Sequence, residues 1–424
     1  MASDQVIMVS HSAVLPPFSY PLPDIVEIDK HLNAKKTVLL TGINGYIASH
    51  IALLLLSRGY TVLGTSRSEA TLGKLLLQPA FEPFASTGRL KHIVITDIAA
   101  SGTFDESVKG VYGIIHTASP VDWSLTTVDA YFTPAVGGVK SILTSAYEHN
   151  KAGGKIASFI QLSSISGVVD KWRYPPLSEG GAENRAYTEN DWNVSGEKVA
   201  RASEQAAQDG TGKFLPMVAY GASKAVAEKW MWDFVKHKTD NDKSWVGPAC
   251  TSVNPGVCMG PPINWPDAPQ KLNETLLPIW NLYSGKCKEE GELPPQIGGA
   301  SYIDVRDVAA LHVWALENPV KAAGQRYLAT NGKAPPQAFA DCIRDVICRD
   351  NEKARSKVIV GEPGKGYAMI GQNGAEDDYG WPDYEPTVKA TKAYQALGVD
   401  RFRGLEVTLR DTIAAFERRW PSKG

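Results

Sequence analysis

Thr41-Gly42-Ile43-Asn44-Gly45-Tyr46-Ile47-Ala48 is the stretch on which the reading of this chain turns. A short apolar run, Thr37-Val38-Leu39-Leu40, leads into it, and an apolar helix-like segment, His50 to Leu56, leads out. Strand, glycine turn and helix in that order point to dinucleotide binding rather than to a bare tight turn. Gly42 permits the turn, Gly45 lets the backbone approach a pyrophosphate, and Ala48 is small enough for the helix to pack on the strand. The free N–H groups and positive dipole end of that helix then receive the phosphate charge.

Downstream, short apolar strands alternate with amphipathic helices, which is the pattern of a parallel sheet covered on both faces. Further strands are predicted at 60–67, 92–95, 113–116, 157–162 and 250–253, and helices at about 135–149, 197–208, 222–236 and 405–419. The fold class is therefore α/β: a Rossmann-type doubly wound parallel sheet with a smaller C-terminal substrate-binding lobe. Residues 1–35, with Pro16, Pro17, Pro21 and Pro23, read as an N-terminal extension. Residues 36–255 plus 301–333 make the dinucleotide-binding domain, with a surface insertion at about 170–216 that is too long for an ordinary connection. Residues 256–300 plus 334–424 make the lobe.

Composition narrows the function classes. The chain has 424 residues, 43% hydrophobic and 21% charged, with a net charge of −2. That balance argues against nucleic-acid partners and against attraction to an anionic membrane. No apolar run reaches the roughly 18–20 residues of a membrane helix, and the N-terminus lacks the pattern of a signal peptide. The five cysteines (Cys250, Cys258, Cys287, Cys342 and Cys348) follow no metal or disulfide spacing. The expectation is a cytoplasmic protein, monomer or homodimer, with buried reduced thiols and no metal.

Tyr220-Gly221-Ala222-Ser223-Lys224 sets a phenol and an ammonium four residues apart, one turn of a helix. A phenol titrates near 10, and a cation a few ångströms away lowers that by about 1–3 units. Tyr220 is thus a candidate to exchange a proton with a substrate oxygen. Ser164, at the carboxyl end of the fifth strand where ligands of such sheets bind, is the candidate to hold that oxygen, and Ser163 is the competing choice.

Together these residues resemble the extended short-chain dehydrogenase/reductase superfamily, and within it the dihydroflavonol-reductase-like branch that includes fungal aldehyde, methylglyoxal and carbonyl reductases. The resemblance rests on an ordered set: the glycine stretch, Gly64-Thr65-Ser66-Arg67-Ser68, His116-Thr117-Ala118-Ser119-Pro120, Leu162-Ser163-Ser164 and Tyr220 to Lys224. Asn254-Pro255-Gly256 with Gly260-Pro261, and Tyr302 to Ala309, complete it. It implies a Ser164–Tyr220–Lys224 triad reducing a carbonyl with a nicotinamide cofactor. Tyr220 would donate the proton, Lys224 would bind the ribose and depress the tyrosine pKa, and Ser164 would hold the carbonyl. Gly42, Asn44, Gly45, Tyr46 and Ile47 would cradle the phosphates, Asp97 and Ile98 would lie beside the adenine, and Thr117, Ala118 and Ser119 would line the cofactor. Pro255, Gly256 and Val257 would lie near the nicotinamide amide. In the Tyr302 to Ala309 motif, Asp304 and Arg306 read as buried partners rather than catalysts.

The end of the second strand bears on which dinucleotide binds. An NAD enzyme presents an acidic residue there; this chain presents Arg67, which suits the 2′-phosphate of NADPH, and its next lysine is Lys74. Val169 and Val257 stand where the fungal reductases tend to carry aromatic residues, which implies a roomier pocket. Trp123, Trp265 and Tyr283 either wall that pocket or are ordinary packing. The implied function is NADPH-dependent reduction of a neutral, bulky ketone or aldehyde, in the biosynthesis of a specialised metabolite. The alternatives are a non-reducing epimerase or dehydratase of the same superfamily, and a dinucleotide-sensing regulator.

Overall fold

The computed structural model describes residues 36–119, 121–175, 185–242, 245–295, 301–369, 379–380 and 387–421. The expected extension at 1–35 and part of the expected insertion, 176–184, lie outside the described residues. Seven strands form the main sheet: β1 (Thr37–Thr41), β2 (Thr61–Ser66), β3 (Leu90–Val94), β4 (Gly113–His116), β5 (Ser158–Leu162), β6 (Ala249–Pro255) and β7 (Gln325–Ala329). Their order is β7-β6-β5-β4-β1-β2-β3, and every neighbouring pair is parallel. This is the Rossmann-type sheet read from the sequence. The chain reverses its direction of winding between β1 and β4, where Thr41 stands opposite His116. Such a reversal opens a crevice at the carboxyl ends of the strands.

Six helices cover the sheet or carry residues of the crevice: α1 (Tyr46–Ser57), α2 (Val128–Lys151), α3 (Gly196–Gln208), α4 (Pro216–Asp242), α5 (Val305–Glu317) and α6 (Leu405–Arg419). On one face of the sheet Ile51 and Leu55 of α1 join Val308 and Leu311 of α5 over Val38 and Leu40. On the other, Ile142 and Ala146 of α2 join Ala227 and Met231 of α4 over Leu39, Ile114 and Phe159. Burial on both faces explains why the strands read as apolar runs. Among the described residues no helix is long and apolar enough to cross a membrane.

Two helices begin earlier than the sequence pattern suggests. The sequence pattern starts α2 at about 135, yet Pro134 is accommodated inside the helix, and Thr127 caps the true start by accepting the N–H of Ala130 at 3.3 Å. Helix α4 opens on Pro216, where a missing N–H costs nothing. Tyr220 therefore sits within the helix and not ahead of it.

A second apolar core gathers Met259, Ile279 and Leu282 from the chain after β6, Phe339 and Ile343 from the chain after β7, and Leu409 and Phe416 of α6. Arg306 ties it to α5, reaching Asp304 at 2.7 Å and Asp411 at 2.6 Å, while Thr408 donates to Asp304 at 2.9 Å. The stretch after β5 is also anchored. Asp170 accepts the N–H groups of Val194 and Ser195 at 3.0 and 2.9 Å, and Ala186–Tyr187 pairs in parallel with Thr387–Val388.

Three histidines are fully enclosed: His50, His116 and His312. Burial holds the first two near a pKa of about 3 and the third near about 4, against an ordinary 6.5. A lowered folded-state pKa means that the unfolded chain takes up the proton first. Their contribution is therefore present above pH 6.5 and is lost as pH falls toward 3 or 4. Each costs about 2 kcal/mol of stability between pH 7 and pH 5. Denaturant unfolding of His312→Leu at these two pH values should show a drop smaller than that of the wild type by about that amount; an equal drop would mean that His312 is already charged in the fold.

Candidate active site

The glycine turn runs from β1 into α1 at the reversal point. Gly42 adopts φ +68°, and a Cβ there would lie 3.2 Å from the Cα of Ala118, so any other residue would be both strained and crowded. Gly45 donates to the Gly42 carbonyl at 2.8 Å and begins α1 without any side-chain cap or acidic residue in the first turn. The first N–H groups of α1 thus border a cradle that glycine alone keeps open, which fits a dinucleotide pyrophosphate. Thr41 fixes the two strand ends: its hydroxyl accepts the N–H groups of Thr117 and Ala118 at 3.0 and 3.1 Å. Having accepted twice, it donates to Nδ1 of His116 at 2.9 Å.

The other expected cofactor residues surround this cradle. The Asn44 carbonyl accepts from Asn264 at 2.7 Å, and the Tyr46 hydroxyl donates to the Gly260 carbonyl at 2.7 Å. Both bonds pin the turn to the chain after β6, and Ile47 follows in the first turn of α1. Arg67 is exposed just past β2 and has no ion-pair partner among the described residues. Lys74 instead pairs with Asp267 at 3.1 Å. Asp97 is exposed and accepts from the Ala99 N–H at 2.8 Å, while Ile98 packs against Gly138. Thr117, Ala118 and Ser119 follow β4 half-buried. Beyond Pro255, Gly256 donates to the Ala329 carbonyl and Val257 to that of Ser301, at 2.9 and 3.0 Å. A Cβ at 256 would lie 2.4 Å from the Ser301 hydroxyl.

Neighbouring residues at the end of β5 divide sharply. Ser163 donates to the Glu228 carboxylate at 2.8 Å and is committed to the interior. Ser164 accepts the Ser166 N–H at 3.1 Å, and its hydroxyl lies close enough to Tyr220 to draw the phenol pKa down. Lys224 lies one turn along α4 with its Nζ 5.6 Å from the centroid of the Tyr220 ring. The geometry thus joins Ser164, Tyr220 and Lys224 and leaves Ser163 aside.

The expected lowering of the Tyr220 pKa is not what the site produces. Burial pushes the phenol up to about 12, only partly offset by the hydrogen bond to Ser164. Burial also pulls Lys224 down to about 8, against the opposing pull of Glu228. In a poorly solvated site the cost of charging each group dominates.

Of the pocket candidates, Trp123 stands edge-on to Tyr220, with ring centroids 5.5 Å apart, and keeps 37% of its surface exposed. Trp265 stands edge-on to Trp420 in the second core, and the Tyr283 hydroxyl donates to Glu417 at 2.7 Å. Val169 packs beside Val168, Tyr187 and Leu328, and Val257 against the second core. All five cysteines are buried and free. Burial, then the Asp304 carboxylate, raise the Cys258 thiol far above its usual range, so it is no nucleophile. Among the described residues no cluster of side chains is suited to a metal ion.

Sequence reasoning missed Glu228, Arg326 and the role of Thr41. For Glu228 a signal existed: Tyr220, Lys224 and Glu228 repeat at four-residue spacing and share one face of a helix.

Comparison with known proteins agrees with this geometry. Residues 38–329 match the model of the NAD dependent epimerase/dehydratase family. The chain is 29% identical to the NADPH-dependent methylglyoxal reductase GRE2 of Saccharomyces cerevisiae, over 90% of this chain and 99% of that one. It is 31% identical to the ketoreductase azaE of Aspergillus niger, over 73% and 82% of the two chains. The crystal structure of yeast methylglyoxal/isovaleraldehyde reductase Gre2 complexed with NADPH superposes with a TM-score of 0.70 at 26% identity, covering 90% of this chain and 98% of that one. From its strand order, its glycine turn and these matches, the chain belongs to the NAD dependent epimerase/dehydratase family.

Proposed function

We propose that this protein is an NADPH-dependent carbonyl reductase acting on a neutral, bulky ketone or aldehyde. The observation that carries the reading is the meeting of Ser164, Tyr220 and Lys224 beside a glycine cradle at the reversal point of the sheet. Methylglyoxal reductase and ketoreductase relatives support the reaction type. The cradle and the uncapped start of α1 would hold the pyrophosphate, Lys224 the ribose, and Arg67 the 2′-phosphate. When bound, NADPH supplies a hydride to the carbonyl carbon. Ser164 donates a hydrogen bond to the carbonyl oxygen and steadies the charge that develops there. Tyr220, neutral at pH 7, then delivers its proton to that oxygen. A phenol raised to about 12 suits this direction, because an alkoxide is far more basic still. Trp123 provides an apolar wall at the mouth, which favours a substrate without charge.

Two tests separate this from its rivals. Tyr220→Phe should cut turnover by about 10²–10⁴ and leave NADPH affinity nearly unchanged, and Ser164→Ala should cost about 10²–10³. Both are measured by steady-state NADPH oxidation beside a fluorescence titration of binding. Net consumption of NADPH distinguishes a reductase from an epimerase, which returns its cofactor unchanged. Wild-type rates in the Tyr220→Phe enzyme would remove the triad.

Arg67→Ala should weaken NADPH about ten- to a hundredfold while leaving NADH close to its wild-type affinity, since one charge-assisted phosphate contact is lost. Equal affinity of the unaltered protein for the two cofactors would overturn the assignment of Arg67.

A further inference from the structure

One turn beyond Lys224 on α4 lies a carboxylate with no access to solvent. Glu228 accepts Ser163 at 2.8 Å, Ser252 at 2.6 Å and Asn254 at 2.7 Å. Arg326 of β7 reaches it through Nε at 2.6 Å. Nη1 of the same guanidinium donates to the carbonyls of Glu189 and Asp191 at 2.6 and 2.8 Å, and its plane lies 3.6 Å from the centroid of the Trp192 ring. One side chain thus ties the carboxyl end of β5 to β6 and to the start of β7, and anchors the segment after β5 through Arg326. Burial alone would raise the Glu228 carboxyl, yet Arg326, with Ser252 and Asn254, holds it below its ordinary value, so it is ionised.

A buried ion pair contributes little to stability that apolar side chains of the same volume would not contribute as well. Its value must therefore lie in what stands beside it. Ser163 precedes Ser164 directly, and the Asn254 amide also reaches the Ser164 carbonyl at 3.4 Å. Lys224, the other neighbour, is a buried cation. The titratable groups acting on Lys224 are Tyr220 and Glu228 of its own helix and His116 of β4, with Arg326 behind Glu228 on β7. His116 and Tyr220 are both neutral at pH 7, which leaves Glu228 as the source of negative charge among these groups.

We propose that Glu228 is a positioning residue of the active site: its buried carboxylate keeps Lys224 charged for the cofactor ribose and fixes the strand end that carries Ser164. This rests on the reductase reading above, in that Lys224 must be the group that holds NADPH.

The test is NADPH affinity of the full-length protein from pH 6 to pH 9, read by energy transfer from protein tryptophans and independent of turnover. The unaltered protein should lose affinity as Lys224 deprotonates near pH 8. In Glu228→Gln that loss should begin about one pH unit lower, giving roughly fivefold weaker binding at pH 8 and near-normal binding at pH 6. Because the single change strands the Arg326 charge, Glu228→Gln/Arg326→Gln supplies a neutral pair and should show the same displacement. Glu228→Asp, which keeps the charge, should restore the original profile. A folded double variant with an unmoved profile would overturn the proposal, as would failure of both glutamine variants to fold, which would make Glu228 a requirement of folding only. Failure of the unaltered protein to bind or oxidise NADPH would instead bring down the reductase reading, and this inference with it.

Discussion

Everything in this structure is arranged around one close approach: the backbone of Gly42 passing Ala118 at the point where the sheet reverses. A Cβ on Gly42 would meet Ala118 at 3.2 Å, and the backbone there has φ +68°. Glycine satisfies both demands at once. Because the two strand ends lie so near, Thr41 can accept the N–H groups of Thr117 and Ala118 and still reach His116. Those bonds satisfy the backbone donors of the β4 end, so the free N–H groups of α1 are what the crevice offers to a ligand. The parallel sheet, its central strands buried on both faces, supplies the rigidity that holds this gap open.

Charge is used sparingly around the gap. Desolvation drives Tyr220 up and Lys224 down, so each is pushed toward its neutral form. In the proposed mechanism a neutral phenol suits a proton donor and a charged lysine suits a ribose, and the interior places a second buried charge, Glu228, tied down by Arg326, one turn from that lysine. The effective medium there amplifies every such interaction relative to water. The same logic disposes of Cys258, whose thiol is too deeply buried to ionise.

The fold was legible in the sequence because its determinants are local. Apolar runs of four to six residues, the glycine turn and the helix-forming segments each follow from backbone preference and periodicity. Boundaries were less so: the pattern starts α2 at about 135, whereas the helix begins at Val128 and runs through Pro134, with Tyr131, Phe132 and Ala135 packed into the cores. Sequence spacing joined Tyr220 to Lys224 but misjudged their electrostatics, because it supplies proximity and not burial. Arg326 was beyond reach altogether. It arrives at Glu228 from a strand 98 residues away, and no local pattern marks a long-range pair.

Ser163 and Ser164 show how finely the division between structure and chemistry is drawn. Both belong to an extended chain, in which successive side chains point to opposite faces. Ser163 keeps its backbone in the ladder, donating its N–H to the Val253 carbonyl at 2.8 Å, and turns its hydroxyl inward to Glu228. Ser164, one step on, leaves the ladder with φ −159° and caps the turn Ile165–Gly167, which aims its hydroxyl at Tyr220. A register slip of one residue would exchange the two, putting the interior hydroxyl at the crevice and the reactive one against a buried carboxylate. The network at Glu228 opposes that slip, because Ser252 and Asn254 on β6 donate to the same carboxylate as Ser163 and so hold β5 and β6 in one alignment. Register, and through it the identity of the serine at the crevice, is thus fixed from beneath the site, by side chains of the interior.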